Sequence, residues 1–297
     1  MDPQILQFLA APFAASLILT GIHAYLGVHV VERGVIFVDL SLAQIAALGA
    51  TIAVLLPFTE GDPHSTGVYW FSLGFTFLGA AVFSLVHSQK ARIPQEAIIG
   101  ISYAVASAAA IVAMSQSTSQ AEHLKDMLVG NILAVSWEEV LHTAMLYGVI
   151  GIFHYVLRKR FLLISVDRAR AEREGLSVRF WDFLFYASFG FVVTSSVSIA
   201  GVLLVFCYLI VPSVAAMLYA DRIGPRLAIG WAMGTVVSML GMYFSVVFDL
   251  PTGATIVCTF GVVLILMATV RTILLRAGVR SMERSSNSAV GARTLQD

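Results

Sequence analysis

Apolar residues fall into long blocks near 5–30, 35–57, 68–88, 96–115, 138–157, 180–198, 201–219, 227–248 and 253–275, separated by Pro, Gly or short charged clusters. Each block is close to the roughly 20 residues an α-helix needs to span ~30 Å of hydrocarbon. Only helices or closed barrels satisfy their backbone groups in lipid, and continuous apolar runs point to helices. The pattern predicts an all-α integral membrane protein, a polytopic bundle of about nine transmembrane helices. Two stretches break the pattern. Residues 120–136 are polar at the start and apolar at the end, which predicts a short helix at or dipping into the interface. The stretch 194–201 (TSSVSIAG) is rich in small and hydroxyl residues at membrane depth. It reads as a tight turn between short helices, or as a broken helix lining a wet path. The organisation is then a transmembrane domain over 1–280 and a polar tail over 281–297 whose composition predicts disorder.

Composition supports the membrane reading: 58% of the 297 residues are hydrophobic and 12% are charged, with a mean hydropathy of +0.86. A soluble domain carries roughly 25% charged residues. The net charge is zero, so nothing points to nucleic acid. Residues 1–12 hold Asp2 and no Lys or Arg, and a spanning stretch follows, so no cleavable signal peptide is predicted. Loop cations are one-sided. Arg33, Lys90, Arg92, the 158–179 cluster, Arg222, Arg226 and the arginines from Arg271 onward fall on one side. The opposite loops hold Lys125 beside Glu60, Asp62, Glu122, Asp126, Glu138, Glu139 and Asp249. The positive-inside rule then places the N-terminus outside and the C-terminus in the cytoplasm.

The chain has no G-x-x-x-x-G-K-[ST] phosphate loop, no H-E-x-x-H zinc motif and no G-x-S-x-G elbow. It is not read as an enzyme, and no cofactor is expected on it. Residues 158–179 form the longest charged loop, within which Asp167 begins a short amphipathic helix stopped by Gly175. That helix is either a solvated loop element or a coupling helix docking in a cytoplasmic ATPase. Its residues are Asp167, Arg168, Arg170, Glu172, Arg173, Glu174 and Gly175. Ionisable residues inside spans are expensive, which makes them functional candidates. Asp39, within VIFVDLSLAQIAALG, is the clearest; capping its helix or pairing with Arg33 is its structural alternative. Gln44 can hydrogen-bond between helices. Asp249, beside Pro251, caps a loop or forms an entry carboxylate. His23 and His29, six residues apart, do not share a face, and His142 and His154 lie near opposite ends of one span. Hydrogen-bonded packing is the default for such histidines. Cys207 and Cys258 lie in apolar runs and read as buried structural residues.

Six stretches together resemble the permease subunits of ABC-type importers of zinc, manganese and iron. They are GVHVVERGVIFVDLSLAQIAALG (27–49), EAIIGI (96–101), MLVGNILAVSWEEV (127–140), SVDRARAEREGLSV (165–178), AGVLLVFCYLIVPSVAAMLYA (200–220) and FDLPTGATIV (248–257). The resemblance implies a homodimer in the bacterial cytoplasmic membrane, two cytoplasmic ABC ATPases that use the ATP, and an external substrate-binding protein. It turns 167–177 into an expected ATPase-docking element. The family's second span carries an Asp and, four residues on, a His; the matching positions here are Leu40 and Gln44. Asp39 is displaced by one residue, about 100° around the helix. An Asp/His pair suits a borderline divalent ion, whereas Leu with a neutral amide does not. The translocation-path candidates are therefore Asp39, Gln44 and Asp249, with Asp39 the candidate metal ligand. The cargo is expected to be a divalent metal, or else a metal complex or other small nutrient; an ion-coupled secondary transporter is the other class.

Overall fold

The computed structural model describes residues 3–56, 65–86, 93–115 and 132–293. Most of the predicted interfacial segment 120–136 lies outside the described residues. Its end is a 3₁₀ turn, Ile132–Ala134, followed by Ser136. Ten α-helices and no strand occur among the described residues: α1 (Pro3–Arg33), α2 (Val38–Val54), α3 (Thr66–Val86), α4 (Gln95–Met114), α5 (Trp137–Val166), α6 (Arg168–Arg173), α7 (Val178–Ala200), α8 (Val202–Met217), α9 (Ile223–Phe248) and α10 (Thr252–Arg293). A helix lies on each apolar block predicted from sequence. Seven of them are long and apolar enough to cross a bilayer, and Val38–Val54 and Val202–Met217 are shorter apolar helices.

Boundaries follow local chemistry. Ser136 opens α5 with a reciprocal capping box: its hydroxyl accepts from the Glu139 amide, and Glu139 accepts from the Ser136 amide. From there α5 runs past the predicted end at 157 to Val166, because nothing in RKRFLLISV breaks a helix and Phe161 and Ile164 are buried. The break expected over 194–201 shrinks to one residue. Thr194–Ala200 stays helical, and Gly201 (φ 75°, ψ 159°) alone divides α7 from α8. The last helix, α10, continues to Arg293 across the stretch whose composition predicts a disordered tail. Extending a nucleated helix costs far less than starting one, so a polar continuation follows an apolar helix readily.

Helix α1 is central, packing on α5, α8 and α9, while α2 packs on α3 and α4, and α3 on α7. Glycines set the closest approaches. Gly230 and Gly234 on α9 face Ala24, Pro212 and Thr20, so this pair serves close packing inside the chain. Arg33, counted above as a loop cation, is the last residue of α1 with a side chain only 5% exposed. Cys207 is half-buried, and Cys258 is exposed rather than buried, on the outer side of α10. An apolar run does not say which of its faces meets lipid.

Candidate translocation path and coupling element

The interior of the bundle carries polar groups in layers between α1, α5 and α7. At the level of His23, Nδ1 donates to the Leu19 carbonyl (2.8 Å), which leaves Nε2 to accept from Ser196 (3.1 Å). Ser196 also meets the Tyr147 hydroxyl at 2.5 Å. Below it, His154 Nε2 donates to Ser188, whose own hydroxyl donates to the Phe185 carbonyl. Lower still, Ser165 donates to the Phe161 carbonyl and accepts from both His29 Nδ1 (2.9 Å) and Arg33 Nε (2.9 Å). The three buried histidines are thus hydrogen-bonded packing, as a default reading of intramembrane histidine expects; His142 is exposed.

An ionic layer closes the column. Asp182 is fully buried and accepts from Arg33 Nη1 at 2.6 Å and from Arg168 Nη2 at 2.9 Å. Arg33 also lies over the Phe185 ring, its Cζ 4.0 Å from the centroid. Alongside, Arg226 pairs with Glu32, joining the start of α9 to the end of α1. Asp182 was not singled out from the sequence. The signal was present, since a carboxylate in RFWDFLFYASFG within a predicted span meets the same rule that selected Asp39. Arg33 pairs with Asp182, and the expected alternative pairing with Asp39 does not occur.

Asp39 occupies the first turn of α2 and is 1% exposed, with neither carboxylate oxygen holding a hydrogen-bond partner. It shares the buried face of α2 with Leu42, Ala43 and Ala46. A carboxylate there is favoured by the helix N-terminus, yet that dipole does not replace lost hydration. Gln44 is half-buried and five residues along, about 140° around the helix, so it does not face the same way. Asp249 is an exposed left-handed cap (φ 51°, ψ 48°) ending α9. Because the opposite end of α9 meets the end of α1 through Arg226 and Glu32, Asp249 lies roughly 35 Å of helix away from the ionic layer. The structure does not bring Asp39, Gln44 and Asp249 into one site. Among the described residues no three His, Cys, Asp or Glu side chains are grouped to hold a metal ion.

Between α5 and α7 stands α6, six residues long. The Asp167 side chain caps it by accepting from the Arg170 amide at 3.0 Å. At the other end Gly175 takes φ +79°, with the Leu176 amide returning to the Ala171 carbonyl, a glycine-terminated stop. Ala171 is fully buried and Arg168 points inward to Asp182, while Arg170, Glu172, Arg173 and Glu174 are exposed. Arg170 and Glu174 pair at 2.8 Å on the outer face.

Comparison with known proteins agrees with the extent of this architecture. The signature of the ABC 3 transport family matches residues 5–271. A manganese transport system membrane protein, MntC, of Listeria innocua is 30% identical over 200 residues, covering 64% of this chain and 69% of that protein. A probable iron transport system membrane protein of Haemophilus influenzae is 26% identical over 257 residues, covering 86% of this chain and 91% of that one. In structure, PsaBC from Streptococcus pneumoniae in complex with Fab superposes with a TM-score of 0.74 at 22% identity, over 89% of this chain and 93% of that chain. The likeness in structure speaks for the fold, and the family match, which takes in α1 to α9 and most of the apolar part of α10, speaks for descent: the chain belongs to the ABC 3 transport family.

Proposed function

We propose that the chain is the membrane-spanning permease subunit of an ABC importer that moves manganese or iron, free or chelated, by alternating access, with zinc a further candidate cargo. ATP is used on a separate subunit. The observation that carries this reading is the family match over nearly the whole membrane region, in a chain whose sequence has no phosphate-binding loop of its own. On this reading nine helices cross the bilayer, the two shorter apolar ones included, with the N-terminus outside and the C-terminus in the bacterial cytoplasm. The cytoplasmic ATPase docks on α6 through Asp167, Arg170, Glu172, Arg173 and Glu174, all exposed, while Arg168 is turned inward and Gly175 supplies the stop. A substrate-binding protein delivers the metal near Asp249. Asp39 serves as the charged station within the path, with Gln44 on another face of α2, about 140° away.

Affinity purification of the tagged full-length chain from its native membrane tests this assignment. An ATPase is expected to co-purify, and to be lost when residues 167–175 are replaced by a neutral linker. Purification without an ATPase, under conditions that preserve a known ABC complex, would move an ion-coupled secondary transporter ahead.

Two copies are expected to pair. Gly21, Gly148 and Gly151 line a groove of about 620 Å³ between α1, α5 and α9, along with Tyr25, Tyr147 and Arg158. A Cβ at any of the three glycines would meet nothing within 4 Å. Glycine in a helix interior costs about 1 kcal/mol relative to alanine, and small residues facing outward let another helix approach closely in lipid. The occupant assigned to this groove is a helix of a second copy. In a chain with Cys207 and Cys258 changed to Ser, Gly148→Cys is expected to link two copies through a short thiol-reactive cross-linker. A monomer band alone would assign the groove to lipid.

A further inference from the structure

We propose that Asp182 is a positioning residue that fastens α6 to the inner end of α1, so that a displacement of α6 is passed to α1 and on to α2. The proposal rests on the reading of α6 as the ATPase-docking element and names the side chain that carries its movement inward.

The geometry isolates this role. Helix α6 is too short to be stable alone, and its backbone is not continuous with its neighbours. Asp167 (φ −140°, ψ 80°) breaks it from α5, and Gly175 (φ +79°) breaks it from α7. What orients it is the inward side of a single turn, namely Ala171, fully buried, and Arg168 three residues earlier. Arg168 ends on one oxygen of Asp182 and Arg33 on the other. One carboxylate on α7 therefore joins α6 to the last residue of α1.

From Arg33 the connection to α2 is short and stiff. The chain turns at Gly34 (φ +67°), the Val35 amide returns to the Val30 carbonyl, and Val35 and Val38 are buried. Asp39 is the next residue. The Arg33 guanidinium has little freedom, being held by Ser165, Asp182 and the face of Phe185.

Charge counting separates a transmitting role from a stabilising one. Two guanidinium groups share the Asp182 carboxylate; Arg168 Nε also faces the half-exposed Glu172 at 3.9 Å, and Arg33 Nη2 has no hydrogen-bond partner. Buried ion pairs are often no more stabilising than well-packed apolar residues of similar size. A purely structural contact at this place has no need of two guanidinium groups on one buried carboxylate. A joint between moving parts does, because either arginine can hold the carboxylate as the other shifts.

The test uses proteoliposomes containing the chain with its co-purified ATPase and binding protein, and reads radiolabelled manganese(II) taken up per ATP hydrolysed. Arg168→Gln removes only the α6 arm and leaves the Arg33–Asp182 pair intact, so the fold is kept. The ratio is expected to fall several-fold, within the roughly 2- to 30-fold range seen for substitutions on a coupling route, with the ATPase still bound. Asp182→Asn is expected to lower the ratio at least as far, and Asp182→Glu to restore it. An unchanged ratio in Arg168→Gln would overturn the proposal. So would loss of the ATPase from Arg168→Gln alone, since Arg168 would then contact the ATPase directly. A wild-type chain that binds no ATPase defeats the underlying reading, and the proposal falls with it.

Discussion

Gly27→Ala is expected to lower the thermal midpoint of the protein in detergent sharply, although it adds a single methyl group. A Cβ at this position would sit 2.0 Å from the Leu209 carbonyl oxygen, 2.4 Å from Ser213 Oγ and 2.9 Å from the Leu209 carbonyl carbon. A flexible side-chain end could swing aside; a helix carbonyl cannot. The Leu209 carbonyl also accepts from Ser213 at 3.0 Å, which fixes it further. Helices α1 and α8 would have to separate by more than an ångström where Leu26, Val205 and Leu209 are all fully buried. Overpacking of this kind typically costs about 1–3 kcal/mol and occasionally more, and the rigid backbone contact puts this case at the upper end. Gly74→Ala in α3 is the control, since its Cβ would meet nothing within 4 Å. There the helix-propensity gain of about 1 kcal/mol operates without a clash. The check is the thermal midpoint of purified, detergent-solubilised protein followed by size-exclusion chromatography. Equal midpoints for the two variants would mean that α1 and α8 do not meet this closely.

Each apolar block carries a helix in the structure, because block length and the need to satisfy backbone groups in lipid act locally. The short helix α6 was equally legible, since Asp167 and Gly175 act within one turn of chain. Misreadings arise where the determinant lies on another helix. The cluster Arg158, Lys159, Arg160 looks like loop but is helix, because long cationic side chains can reach outward from an embedded backbone; the Arg158 guanidinium lies 4.1 Å from the Tyr155 ring centroid. Arg33 looked like a topology marker because its partner, Asp182, is 149 residues away. In the candidate path, Asp39 could be picked out by charge alone. That Gln44 faces elsewhere follows from helical periodicity, and that Asp249 lies at the far end follows from the antiparallel meeting of α1 and α9.

Asp39→Ala is expected to abolish metal uptake while leaving the chain at least as stable as the wild type. The two halves of this expectation come from one observation. A buried carboxylate with two unpartnered oxygens has given up its hydration without a protein partner in return. Natural sequences keep such costs mainly where a site works on something that arrives from outside. If that something is a divalent cation in transit, the orphaned oxygens are what it meets. Truncating one partner of a buried charge pair costs about 2–5 kcal/mol, which corresponds to a loss of roughly 30-fold or more at the transport step. Removing the unpaired charge meanwhile relieves a folding cost, so the melting temperature should hold or rise. Asp39→Asn should lose uptake as well, because it keeps the shape and removes the charge. The measurement is uptake of radiolabelled manganese(II) or iron(II) in cells expressing each variant at matched membrane levels, beside the melting temperature of the purified chain. Uptake at the wild-type rate would take Asp39 out of the path. Loss of uptake together with a lowered melting temperature would make Asp39 a structural cap for α2, and its first-turn position would then be its whole role.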